Sequence, residues 1–201
     1  MIIKTKSNTF IPTGTSDLLI ESVKNNLRLK GKVLDLGAGS GYVGLKLLKQ
    51  FKDKFELFSS DISKNSVNLI KTNARINKKK VTAKSGSLFR PWKNYRFDFI
   101  INDVSGISKE VAKISPWFKN TSCESGNDGT KLTLKILRDS NKYLSKKGII
   151  CFPILSFANE KKILLNLKKK FKHIKKIGEK DWVLPKEMTS KVFILEKLKK
   201  K

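Results

Sequence analysis

Short runs of Val, Ile, Leu and Phe alternate along this chain with longer stretches in which apolar residues return every three or four positions, the signatures of strand and helix. Runs at 32–36, 55–62, 81–89, 97–104 and 148–155 predict strands. Stretches from 42 onward (Val43, Leu45, Leu47, Leu48) and at 63–76, 106–115, 132–144 and 157–171 predict the helices between them. Ahead of the first strand, residues 9–16 read as a turn ending in a candidate N-cap, and 17–27 as a helix with Leu18, Leu19, Val23 and Leu27 on its apolar face. Residues 174–177 and 191–197 predict two last strands joined by 178–190, which contains Trp182 and Pro185. Residues 1–6 read as an edge strand or a frayed start, and 197–201 as a disordered basic tail.

Strands alternating with helices make this an α/β chain with a mostly parallel sheet of seven strands, helices on both faces and an antiparallel hairpin at the end. The run at 97–104 is unbroken apolar in its middle, as a central strand covered on both faces requires. With no internal repeat and no linker, residues 1–201 read as a single domain in which 1–30 form an N-terminal segment and helix.

Composition narrows the chemistry. The 201 residues can bury about 70% of their unfolded surface without staples. Cys123 and Cys151 sit in unrelated contexts, which fits free thiols in a reducing compartment. His173 is the only histidine, so neither a His-based triad nor a His-ligated metal is expected. No 18-residue apolar run or signal peptide is present, so a cytoplasmic monomer away from membranes is expected. The net charge is +27, with 44 Lys and Arg of which only five are Arg. Such a field suits RNA, DNA or an acidic ribosomal or protein partner. Lys, Asn and Ile are over-used throughout, so an AT-rich genome explains the same excess.

The stretch GKVLDLGAGSGYVG, residues 31–44, is where candidate chemistry concentrates. It reads strand, tight turn, helix. Gly37, Gly39 and Gly41 let the backbone turn sharply near a ligand, and the following helix offers unpaired N–H groups, which suits a nucleotide-like occupant. Residues 39–44 also fit G-x-G-x-x-G, and Asp61 follows Gly41 by 20 residues, so the dinucleotide fingerprint is formally matched. Asp35 weighs against it, because a pyrophosphate at the loop would meet a like charge. S-adenosylmethionine (SAM), with a cationic sulfonium and an α-ammonium, would meet an opposite one.

VLDLGAGSG resembles motif I of the class I SAM-dependent methyltransferases, which implies their Rossmann-like fold. FIPTGTSDLLIESV before it resembles the segment that precedes motif I in the HemK-type protein glutamine methyltransferases. The resemblance implies that Asp61, at the end of the second strand, accepts both ribose hydroxyls, and a carboxylate suits two donors. HemK-type enzymes often read Gly-Asp-Leu-Phe where this chain has Gly86-Ser87-Leu88-Phe89, so Ser87 takes the place of an acid near the adenine amino group. Together the resemblance implies SAM contacts from Thr15, Asp35, Gly37, Ala38, Gly39, Gly41, Asp61, Ile62, Ser87, Leu88 and Asn102, with no metal. GNDGTKLTLKIL, residues 126–137, is a second local match, and the resemblance runs from about residue 9 to 195. Bacterial release-factor enzymes of this branch carry an N-terminal helical domain that docks substrate, and here the sequence enters the core almost at once.

The end of the fourth strand departs from the family. Asn-Pro-Pro-Tyr there becomes Asn102-Asp103-Val104-Ser105. An amide nitrogen is a poor nucleophile because its lone pair is delocalised, so its N–H groups must be held by the Asn oxygen and a backbone carbonyl. Positioning of that kind can supply ~7–11 kcal/mol of a barrier. Asn102 and Asp103 are thus the candidate catalytic residues, Asp103 as a proton acceptor or a seat for a cationic substrate, or else the two cap the next helix. Trp117 and Phe118, in the loop spanning 115–129, could replace the lost aromatic. The leading expectation is SAM-dependent methylation of a protein side-chain amide. Methylation of an rRNA or tRNA base, with RNA or the ribosome as partner, and a degenerate SAM-binding protein remain alternatives.

Overall fold

The computed structural model describes residues 1–6, 9, 12, 14–104, 106–114, 125–156, 158–168, 171, 173–182 and 188–196. Its strands are β1 (Gly31–Leu36), β2 (Phe55–Asp61), β3 (Thr82–Ser85), β4 (Phe97–Asn102), β5 (Leu144–Leu155), β6 (Ile174–Trp182) and β7 (Met188–Glu196). The helices are α1 (Gly14–Asn26), α2 (Tyr42–Gln50), α3 (Lys64–Ile76), α4 (Lys109–Ile114), α5 (Lys131–Ser140) and α6 (Glu160–Lys168). The strands form one sheet in the order β3-β2-β1-β4-β5-β7-β6. β1 to β5 run parallel, and β7 pairs antiparallel with both β5 and β6.

Side-chain alternation along the central strands sorts the core into two layers. Leu34 and Leu36 of β1 join Ile100, Ile136, Leu137, Ile163 and Leu167 on the face covered by α5 and α6. Val33 and Ile101 join Leu19, Val23, Leu45 and Leu47 on the face covered by α1 and α2. Beside the β3 edge, Phe58, Trp92, Tyr95 and Phe97 meet edge to face or stacked with ring centroids 5.2–6.0 Å apart.

Element order and type match the sequence pattern, while several boundaries move. Helix α1 begins at Gly14, and the third strand stops at Ser85 instead of running to 89. Leu88 has φ 50°, which ends the extended backbone, and Leu88 and Phe89 reach the core from a turn followed by a 3-10 turn at Arg90–Trp92. α5 ends at Ser140, and β5 begins at Leu144 because Leu144 pairs with Phe97 before a register shift. β6 and β7 are both longer than predicted, since a bulge between Lys176 and Gly178 and exposed charged residues break the apolar period there. Residues 1–6 are not a strand. The expectations for Ser105, Trp117, Phe118, Cys123, Pro185 and the tail at 197–201 fall outside the described residues. Among the described residues no helix is long and apolar enough to cross a membrane.

Asn73 of α3 and Asn77, which caps its carboxyl end, tie down the N-terminal segment. Asn73, fully buried, accepts from the Lys4 N–H at 2.9 Å and donates to the carbonyls of Lys4 and Ser40, both at 2.9 Å. Asn77 makes the corresponding pair with Ile2 near solvent. Asn73→Ala strips a buried backbone carbonyl of its donor, so a loss of about 1–3 kcal/mol is expected in urea unfolding. Asn77→Ala, close to water, is expected to cost about 0.5 kcal/mol or less in the same measurement.

Candidate functional site

The carboxyl ends of β1, β2, β3 and β4 surround a cavity of about 410 Å³, a volume suited to a small-molecule ligand. Residues 35–40, 60–63, 86–88 and 103–104 supply its walls, with Ser16 from α1, Tyr42 and Val43 from α2, and Leu132 and Lys135 from α5.

The glycine turn is built against its neighbours without a ligand. The N–H groups of Gly37 and Ala38 donate to the Ser60 carbonyl at 2.8 and 3.0 Å, fixing the turn to the end of β2. Gly37 has φ 71°, and a Cβ there would come within 2.3 Å of Val104 Cγ2, so the close approach of the β1 and β4 ends requires glycine. Gly44 plays the matching part on α2. Its N–H donates to Asp35 Oδ2 at 2.9 Å, and a Cβ there would sit 2.7 Å from the same oxygen.

Asp35 is fully buried, and its Oδ1 has no hydrogen-bond partner. Burial pushes its carboxyl up to about 7, against the pull of the Gly44 N–H, and the nearby Asp103 and Asp61 carboxylates add to the rise. An orphaned acceptor on the wall of a cavity is a seat for a donor, and best for a cationic one. Asp61 differs because its Oδ2 accepts from the Gly39 N–H and its Oδ1 from the Ser63 N–H, both at 2.9 Å. Each oxygen keeps a lone pair for a ligand hydroxyl. Beside it Ile62 is 66% exposed, an apolar surface on the cavity wall available to a flat ring.

Asp103 leaves β4 half-buried, and its Oδ2 accepts the Ser16 hydroxyl at 2.6 Å. Burial pushes its carboxyl up to about 6, the Ser16 hydroxyl holds it down, and Asp17 raises it. Asn102, 1% exposed, turns its Oδ1 to the Val104 N–H at 3.4 Å and is not on the cavity wall.

Of the sequence-predicted positions, the cavity therefore gathers Asp35, Gly37, Ala38, Gly39, Asp61, Ile62, Ser87, Leu88 and Asp103. Thr15, Gly41 and Asn102 stand off it. Thr15 is buried against Ser190, 3.0 Å from its hydroxyl, and the next residue on α1, Ser16, faces the cavity instead. Gly41 serves the turn, with φ 79° as the residue before α2. Ser16, Tyr42, Leu132 and Lys135 were not anticipated. Tyr42 lines the wall with its hydroxyl on Asp17 and the Lys46 ammonium 4.4 Å from its ring centroid.

The sheet order, with the cavity at its carboxyl edge, is the Rossmann-like fold found in class I methyltransferases. A family model described as "Methyltransferase small domain" matches residues 6–104. The chain is 29% identical over 162 residues to a release factor glutamine methyltransferase of Thermodesulfovibrio yellowstonii, covering 76% of this chain and 58% of that protein. It is 27% identical over 168 residues to a putative protein N5-glutamine methyltransferase of Methanocaldococcus jannaschii, covering 83% and 82%. The solved Mtq2–Trm112 complex of E. cuniculi, responsible for methylation of the eRF1 translation termination factor, shares the fold at TM-score 0.69 and 13% identity, covering 95% and 99%. The chain is similar to the HemK-like class I SAM-dependent methyltransferases over most of its length. It spans little more than half the length of the first release-factor relatives it matches.

The raised Asp35 carboxyl makes stability pH-dependent. Asp35 holds its proton more tightly in the folded chain than an ordinary carboxyl does unfolded, so its contribution to folding is full below about pH 4 and is lost as pH rises through about 7. Asp35→Asn is expected to flatten that part of the profile in urea midpoints taken from pH 4.5 to 8 without ligand. An unchanged slope would assign it to other groups.

Proposed function

We propose that this chain binds SAM in the cavity and transfers its methyl group to the nitrogen of a protein side-chain amide, of the release-factor or ribosomal-protein glutamine type. The observation that carries the reading is the convergence of Asp35, Asp61 and Asp103 from three strand ends on one cavity beside the glycine turn. These residues fit SAM. Asp61 would hold the ribose hydroxyls, Ile62, Leu88 and Ser87 the adenine, and the unpartnered Asp35 Oδ1 would face the cationic methionine end. A pyrophosphate would instead be repelled there, which disfavours NAD. The acceptor would enter at Asn102–Val104, with Asn102 shaping the loop through its bond to the Val104 N–H. The amide is favoured as acceptor by the glutamine-methylating relatives. A base amine in rRNA or tRNA is the second reading, favoured by the net charge of +27.

Incubation with methyl-labelled SAM and a bacterial lysate, followed by protease or ribonuclease, tests the acceptor. Label is expected in protein and is expected to resist ribonuclease. Label in RNA would favour the second reading, and none at all a SAM-binding protein without catalysis. In calorimetry, SAM is expected to bind tighter than NAD. Asp61→Ala removes a two-pronged acceptor whose charged hydrogen bonds are worth ~1.5–3 kcal/mol each, so SAM affinity should fall at least about tenfold. Asn102→Ala removes the bond that shapes the loop after β4, so turnover is expected to fall by about tenfold or more while SAM affinity stays within about threefold.

A further inference from the structure

The loop after β4 reads Asn102-Asp103-Val104-Ser105, without the two prolines of the motif it resembles, and the structure holds it in another way. Asp103 Oδ2 is tethered to the Ser16 hydroxyl at 2.6 Å, and Ser16 itself is 1% exposed on α1. On the other side Val104 rests on Gly37, with no room for a side chain between them. The loop is therefore gripped from α1 and from the glycine turn. Asn102 spends its Oδ1 on the Val104 N–H, whereas no described donor meets Asp103 Oδ1. The carboxylate that this loop presents to the cavity is that of Asp103.

We propose that Asp103 accepts the proton released by the nitrogen being methylated, and that Ser16 is the positioning residue that aims it. The proposal rests on the N-methyl transfer reading above. With SAM supplying the methyl as its C–S bond breaks, the acceptor nitrogen forms the new N–C bond and its proton passes to Asp103 Oδ1. Binding Oδ2 to Ser16 leaves Oδ1 as the outward atom and favours the charged carboxylate that the transfer needs. The groups around Asp103 are Ser16 and Asp17 on α1, Asp35 on β1, Asp61 on β2, Cys151 on β5 and Lys135 on α5. Ser16 alone among them donates a hydrogen bond to Asp103, so its removal raises the carboxyl's pKa.

The test uses the full chain with SAM and a purified bacterial release factor from pH 5 to 9. Transfer by the unmutated chain is expected to fall on the acid side with a midpoint of about 6. Asp103→Asn is expected to lower kcat about 100-fold or more and to abolish the acid limb. Ser16→Ala is expected to lower kcat at every pH, because the carboxylate is no longer aimed, and to move the midpoint up by about half a unit or more. A second readout needs neither SAM nor acceptor. Carboxyl NMR should show a resonance titrating near the same midpoint that disappears in Asp103→Asn and shifts upward in Ser16→Ala. Urea unfolding midpoints at pH 8.5 within about 10% of the unmutated chain's in both variants report an intact fold. An acid limb retained in Asp103→Asn, or a midpoint and resonance unmoved by Ser16→Ala, overturns this proposal alone. Absence of transfer by the unmutated chain to any protein of a lysate overturns the amide reading and this one with it.

Discussion

The cavity depends on two carboxylates that bond backbone N–H groups before any ligand arrives. Asp35 takes the N–H of Gly44 and thereby sets where α2 begins relative to β1. Asp61 takes those of Gly39 and Ser63 and locks the turn after β1 to the turn after β2. Backbone N–H bonds to a carboxyl strengthen when that carboxyl is ionised. A site assembled this way is pre-formed, and binding energy need not be spent on ordering the loops. Asp61 is only part-buried, while Asp35 bears the burial of its carboxyl. The cost of Asp35 is offset only when something positive or donating meets its second oxygen.

That arrangement explains which parts of the site could be read from the chain. Asp35, Gly37, Gly39 and Asp61 act within a few residues of the turns they build, so strand-turn-helix pattern and spacing sufficed. Thr15 and Ser16 were indistinguishable, because the pattern started the helix at residue 17 and gave no phase for the turn before it. Strand alternation separates Asn102 from Asp103, and the composition of the loop alone could not tell which one turns inward. Lys135 and Leu132 arrive from a helix some 30 residues beyond β4, and only the packed fold brings them to the wall. For the fold itself, apolar period was a good guide in the buried parallel strands. It failed in β6, where lysine and glutamate fill most outward positions.

The changed loop after β4 shows that rigidity at a site can be redistributed. Where the motif that the sequence resembles has proline, this chain has an aspartate held from a different element by Ser16. Proline restricts its own backbone. A hydrogen bond to a partner distant in sequence restricts the loop only once α1 has docked, which makes the site's order conditional on the packing of the N-terminal helix.

The two borders of the sheet deal with unpaired backbone in different ways. β3 is only four residues long, a short template for another strand. β6 is long, but it is bulged at Gly178 and carries exposed Lys175, Lys176 and Lys180. Charged side chains and a kink on an outer strand discourage a second chain from adding to it. Part of the lysine excess thus keeps the β6 margin from recruiting neighbouring chains, a use of positive charge that calls for no polyanion.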